Sequence, residues 1–163
     1  MNTKNILPSF SFSVITLALV IAGFSISSLN EAYAQNKKVK GLVGSWDVQI
    51  ETPVQGGPFP AFLSFFTDGI MTGDEANSDE TTAYGNWTPT GGRGVAYTFK
   101  SLIGSPQGAS AGSLKVVGTL EYDAGQDTWT GPFKIDVFDP SGNVIFTDRG
   151  TLTGTRIPIE TLN

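Results

Sequence analysis

The chain has 163 residues, with 20 glycines, 9 prolines, no cysteine, no histidine and a formal net charge of -5. The missing residue types exclude disulfides, zinc sites built on His or Cys, and Ser-His or Cys-His nucleophile pairs. The acidic balance argues against nucleic acid, whose phosphates need a basic face, and Lys37, Lys38 and Lys40 read as a solvated tail before the first strand.

Residues 1–34 read as a removable signal peptide. Lys4 is the only charge before Glu31, Val14 to Phe24 form an apolar core, and Ala32-Tyr33-Ala34 is a small-x-small site with cleavage expected after Ala34. The competing reading is an uncleaved anchor, because the uncharged run from Asn5 to Asn30 is long enough to span a bilayer. The short apolar part and the well-formed site favour cleavage. The expected product is secreted or periplasmic, in any case extracytoplasmic, with no stable membrane anchor. It comprises a basic linker at 35–43, one β-barrel domain at 44–157 and a tail at 158–163. With no cysteine, a lipid anchor on an N-terminal cysteine is excluded as well.

After Ala34 the chain is rich in Thr, Val, Phe and Gly and has no long stretch of helical periodicity, which points to an all-β domain. The first strand is expected over 44–52, where Trp46, Val48 and Ile50 alternate with Ser45, Asp47 and Gln49. A loop at 53–58 leads to a strand at 59–67 that is apolar on both faces, so its phase is open between Leu63 with Phe65 and Phe62 with Phe66. Thr67-Asp68-Gly69 is a tight hairpin signal before a strand at 70–74. A polar loop at 75–80, a strand at about 82–89 and a turn at Thr90 to Gly94 follow. The fifth strand, 95–103, alternates Val95, Tyr97 and Phe99 with Ala96, Thr98 and Lys100.

A loop at 104–112 precedes a strand at 113–122 that places Leu114, Val116, Gly118, Leu120 and Tyr122 on one face. The strand at 128–138 follows the turn at 123–127 and alternates Trp129, Gly131, Phe133, Ile135 and Val137 with polar residues; Pro132 within it predicts a local bulge. In Asp139-Pro140-Ser141-Gly142-Asn143, Pro presets one dihedral and Gly accepts the positive one, so the last strand begins at Val144 and runs to Arg156.

Eight strands with short connections and no room for crossover helices form an antiparallel up-and-down meander, and eight can close into a barrel without exposed edges. The loops at 53–58, 75–81 and 104–112 then fall at one end as a mouth. The tight hairpins fall at the other, as a pinched base.

The barrel termini resemble those of the lipocalins and the wider calycin superfamily, which begin their first strand with Gly-x-Trp and pack the indole at the base against an Arg from the end of the last strand. Gly44-Ser45-Trp46 and Arg156 stand in those places. The resemblance implies a structural plug made by Trp46 and Arg156, a guanidinium stacked on an indole. The helix after the last strand, the cysteine pairs of many lipocalins and a second family motif are absent. The run is also similar to small secreted lipocalin-like proteins of prokaryotes and, at fold level, to the barrels of allene oxide cyclases and some polyketide ring-forming enzymes.

An interior site would be lined by Ile50, Phe65, Tyr84, Tyr97, Phe99, Val116, Leu120, Phe133, Ile135 and Phe146; the alternative is that such side chains simply fill the barrel. Gly118, Gly131 and Gly150 on inward phases argue for interior space. Asp148, in phase with Phe146 and Leu152, is a candidate acid or base if buried, and Tyr97 is the other candidate catalytic group. The favoured alternative places Asp148 and Arg149 on a solvated bulge. Asp74, Glu75, Asp79 and Glu80 lack the spacing of a calcium-binding hand and read as a solvated loop; no metal or cofactor is expected. Asn86-Trp87-Thr88 matches a glycosylation acceptor.

Three functions compete: a barrel binding a small apolar molecule, a cofactor-free cyclase or isomerase, and a protein-binding barrel acting through its loops. A sealed interior would favour the last, and an open one with an isolated buried carboxylate would favour the second.

Overall fold

The computed structural model describes residues 39–54, 56–76, 79–105 and 109–162. The expected signal peptide at 1–34, Lys37 and Lys38 lie outside the described residues.

Eight strands follow one another: β1 (Gly44–Thr52), β2 (Gly56–Phe65), β3 (Ile70–Glu75), β4 (Ala83–Gly91), β5 (Gly94–Gly104), β6 (Ser110–Asp123), β7 (Thr128–Phe138) and β8 (Val144–Arg156). Each pairs with the next, and β8 returns to pair antiparallel with β1, from Trp46 opposite Arg156 to Glu51 opposite Thr151. The result is a closed barrel. Closure leaves no strand as an edge of the sheet, so backbone pairing helps to hold a chain that has no disulfides.

The period-two pattern decides what faces inward. On β1, Trp46 and Val48 are buried and Asp47 and Gln49 exposed. On β2 the open phase resolves to Ala61, Leu63 and Phe65 inside, with Phe62 57% exposed outside. Phe65 is fixed there by edge-on contacts with Trp87 and Trp129, at 5.9 Å and 6.1 Å between ring centroids.

At the base, Trp46 meets Tyr122 and Trp129 edge-on at 5.9 Å and 6.3 Å. A 3-10 turn, Lys40–Leu42, lies against this end, and the Trp46 indole Nε1 donates to the Leu42 carbonyl at 2.9 Å. Val39 and Leu42 are buried in the same core. The segment expected as a linker therefore supplies part of the core, because an open barrel end lined by indoles needs an apolar cover. The base hairpin at Asp68 forms as its sequence requires: Gly69 takes φ 84, and the Asp68 carboxylate accepts from the Ile70 amide at 3.1 Å.

Three local expectations are corrected. Gly56, Gly57 and Pro58 belong to β2 rather than to a loop, since pairing with β1 continues past a bulge to Thr52 opposite Gly56. The loop before β6 is likewise shortened, with strand pairing resuming at Ser110. Pro132 causes no bulge: Pro132 pairs in register with Thr151, and β6 and β7 keep one register on either side of it, from Gly118 opposite Phe133 to Glu121 opposite Thr130. Proline removes a donor, and here the ladder tolerates the loss without inserting a residue.

Candidate functional site

Between the plugged base and the far end of the barrel lies a cavity of about 360 Å³. Its rim includes Thr52 at the end of β1, Phe59 in β2, Glu75 at the end of β3 and Glu80 before β4, while Val48, Leu63, Val116 and Leu152 stand deeper. The connections that frame it are β1–β2, β3–β4, β5–β6 and β7–β8. Short hairpins and the Trp46 cluster close the opposite end.

Of the residues expected to line an interior site, Ile50, Phe99, Val116, Phe133, Ile135 and Phe146 do so. Phe65 and Leu120 are buried but belong to the packed base, where they touch core rather than cavity. Tyr84 is 66% exposed on the outer face of β4, because Ala83, Gly85 and Trp87 take the inward phase. Asn86 shares that outer face.

Tyr97 is buried with its ring stacked on Phe99 at 6.1 Å, and its hydroxyl lies over Gly118 without a hydrogen-bond partner among the described residues. Burial pushes its phenol above the ordinary range. It is thus held in the neutral form, outside the cavity lining.

The inward glycines have a different role from the one expected. A methyl group at Gly150 would meet the Phe133 ring at 2.7 Å, one at Gly118 would collide with the Tyr97 hydroxyl, and one at Gly131 would run into the backbone of β6. They make space for neighbouring side chains and strands. The cavity owes its volume to strand number and to medium-sized side chains instead.

Asp148 departs from the favoured reading. Pairing runs unbroken through Ile135 opposite Asp148 and Lys134 opposite Arg149, so there is no bulge there. Asp148 is 7% exposed and faces inward, whereas Arg149 is exposed. One carboxyl oxygen accepts from the Arg149 amide at 2.7 Å; the other is buried without a partner among the described residues.

The rim holds a cluster whose carboxylates the sequence grouped as a polar loop, but whose link to Ser101 it did not disclose. Glu75 at the end of β3 and Glu80 after the loop share a hydrogen bond, and the Ser101 hydroxyl on β5 donates to Glu80 Oε2 at 3.1 Å. Though Glu75 is exposed by area, crowding at the rim, the negative charge of Glu80 and their shared hydrogen bond push its carboxyl up to about 7. Ser101 is 4% exposed. Its odd-numbered phase with Val95, Tyr97 and Phe99 was the signal that placed it inside. Among the described residues, no group of three or more acidic side chains is arranged to hold a metal ion.

At the base, Arg156 forms a network. It stacks on Trp46, donates to the carbonyls of Gly41 and Val43, and pairs with Asp127, which also accepts from the Tyr122 hydroxyl at 3.0 Å. The hydrogen bond from Arg156 holds the Asp127 carboxyl below its usual range.

No protein-family model matches the chain, and no curated protein matches it. The class is therefore defined by geometry: a closed, eight-stranded, up-and-down antiparallel β-barrel with a plugged base and an interior cup, consistent with a lipocalin-like fold.

Proposed function

We propose that the protein is exported and holds a small, mainly apolar molecule in the cup of its barrel. The observation that carries this reading is the cavity: about 360 Å³, lined mostly by aliphatic and aromatic side chains, with its polar groups gathered at the rim. Small-molecule sites have this character, with volumes on the order of 300 to 1,000 Å³. Export rests on the signal-peptide pattern of residues 1–34. The calycin likeness rests on the Trp46 and Arg156 pair and the strand order.

Titration with an apolar fluorescent probe tests it. Saturable enhancement at one probe per chain, reversed by an apolar competitor, is expected; a folded protein that leaves the probe emission unenhanced and unshifted at all concentrations overturns the reading.

A cofactor-free cyclase or isomerase is the second reading, and Asp148 is the observation that favours it. Asp148 is a buried carboxyl with one oxygen unpartnered among the described residues, on the strand that also supplies Phe146 and Leu152 to the cavity lining. Such chemistry also needs a partner donor, and Tyr97 keeps its hydroxyl over Gly118 in the core. Binding is accordingly the better supported of the two.

A further inference from the structure

The wall formed by β5 to β8 carries a charge pattern that folding does not explain. On its outer face Lys100 stands directly opposite Lys115, and in the neighbouring row Lys134 stands directly opposite Arg149. Like charges so placed repel and weaken a sheet, and four cations collected on one wall are unexpected in a chain of net charge -5. A local rule broken without compensation inside the fold marks a surface kept for a partner.

Little counter-charge is at hand. Asp136, opposite Lys115, is the one carboxylate in these two rows; it is 8% exposed and occupied by the Lys134 ammonium and the Thr147 hydroxyl, each at 2.7 Å. Among the described residues no carboxylate forms an ion pair with Lys100, Lys115 or Arg149, whereas Arg93 and Arg156 at the base each meet one.

A second observation, free of charge, says what covers this wall. One row nearer the mouth, Leu102 follows Lys100 in the outer phase of β5 and is 60% exposed, and β8 opens with Val144 and Ile145, 54% and 63% exposed. The wall therefore has an apolar edge with a cationic band behind it. We propose that this face docks the protein reversibly on a bilayer containing anionic lipid, with the apolar edge entering the headgroup boundary and Lys100, Lys115 and Arg149 meeting phosphates. A soluble polyanion would satisfy the cations and leave Leu102, Val144 and Ile145 in water, and an apolar partner would do the reverse. The acidic residues of the mouth do not oppose this contact. Asp74, Glu75 and Glu80 belong to the β3–β4 side, which lies across the closed barrel from β7 and β8, and the Asp139 carboxylate in the β7–β8 turn is taken up by the amides of Ser141 and Asn143.

Co-sedimentation of the exported protein with phosphatidylcholine vesicles, with and without phosphatidylglycerol, tests the proposal. Binding is expected only where phosphatidylglycerol is present, and it should fall as salt rises. Lys100→Gln with Lys115→Gln should weaken it more than tenfold, since each basic residue near an anionic surface contributes about fivefold, and should not lower the melting temperature, since a like-charge pair is relieved. Leu102→Ser with Ile145→Ser should weaken vesicle binding several-fold while leaving binding of soluble dextran sulfate unchanged. Wild type that sediments with neither vesicle, or equally with both, overturns the proposal, as does a charge variant that binds like wild type. So does a Leu102, Ile145 variant that loses nothing, in which case binding of dextran sulfate identifies a soluble polyanion as the partner. Uptake of an apolar probe without vesicles should be the same in all variants, because none of the four positions lines the cavity, so the cup is judged by its own titration.

Discussion

The guanidinium of Arg156 lies 4.2 Å from the centre of the Trp46 ring, joining the last residue of β8 to the first buried residue of β1. The two are also register partners across the seam that closes the barrel. The same guanidinium holds the carbonyls of Gly41 and Val43, so one side chain fastens the seam, the indole and the turn that covers the base.

Trp46→Ala should therefore destabilise by roughly 3 to 5 kcal/mol, the range for truncating a large buried aromatic. Arg156→Ala should also destabilise, and the double variant should cost less than the sum of the two, since neighbours that share an interaction are not additive. Urea melts of the four proteins provide the cycle, and simple additivity would show that the stack contributes nothing.

Ile50 lines the cavity and is only partly buried, so Ile50→Trp should occupy the cup, weaken uptake of an apolar fluorescent probe several-fold and leave the fold intact. Val95, fully buried and outside the cavity lining, gives the contrast: Val95→Trp overfills packed core and should lower stability by about 1 to 3 kcal/mol or more. Probe uptake unaffected by Ile50→Trp in a folded protein would move the binding site off the interior.

Glu75 makes stability depend on pH in a direction opposite to that of most carboxylates. Its folded-state value is raised, to about 7, so between about 4.5 and 7 the folded chain retains a proton that the unfolded chain has released. Stability from this group is fully present below that window and is lost as pH rises through it. Thermal melts of wild type and Glu75→Gln at pH 5 and pH 8 should show a smaller drop in the variant. Parallel pH profiles would mean that Glu75 and Glu80 do not share a proton.

Exported protein should begin at Gln35, because Ala32-Tyr33-Ala34 presents small residues at the positions a signal peptidase accepts. N-terminal sequencing of extracytoplasmic material checks this, and recovery of Met1 would refute it.

What the sequence determined by itself was the alternation. The patterns of Trp46 to Ile50 and of Val95 to Phe99, with Gly69 and Gly142 at turns that take φ of 84 and 88, specify strands, faces and ends, since these depend on neighbours one to four residues away. Even the seam was legible, because Trp46 and Arg156 occupy opposite termini of the strand series. Only the tertiary structure decided the rest. Phe62 and Phe65 are equally apolar, and it took Trp87 and Trp129 to select the phase that buries Phe65. Val39 and Leu42 look like linker until a barrel end needs covering. Glu75, Glu80 and Ser101 read as ordinary loop and strand residues until closure brings β3 and β5 to one rim, and the solvated bulge expected at Asp148 became a buried carboxyl because the ladder with β7 runs through it unbroken. Local periodicity says which residues share a face; which faces meet, and what charge they bring together, is settled only when the sheet closes.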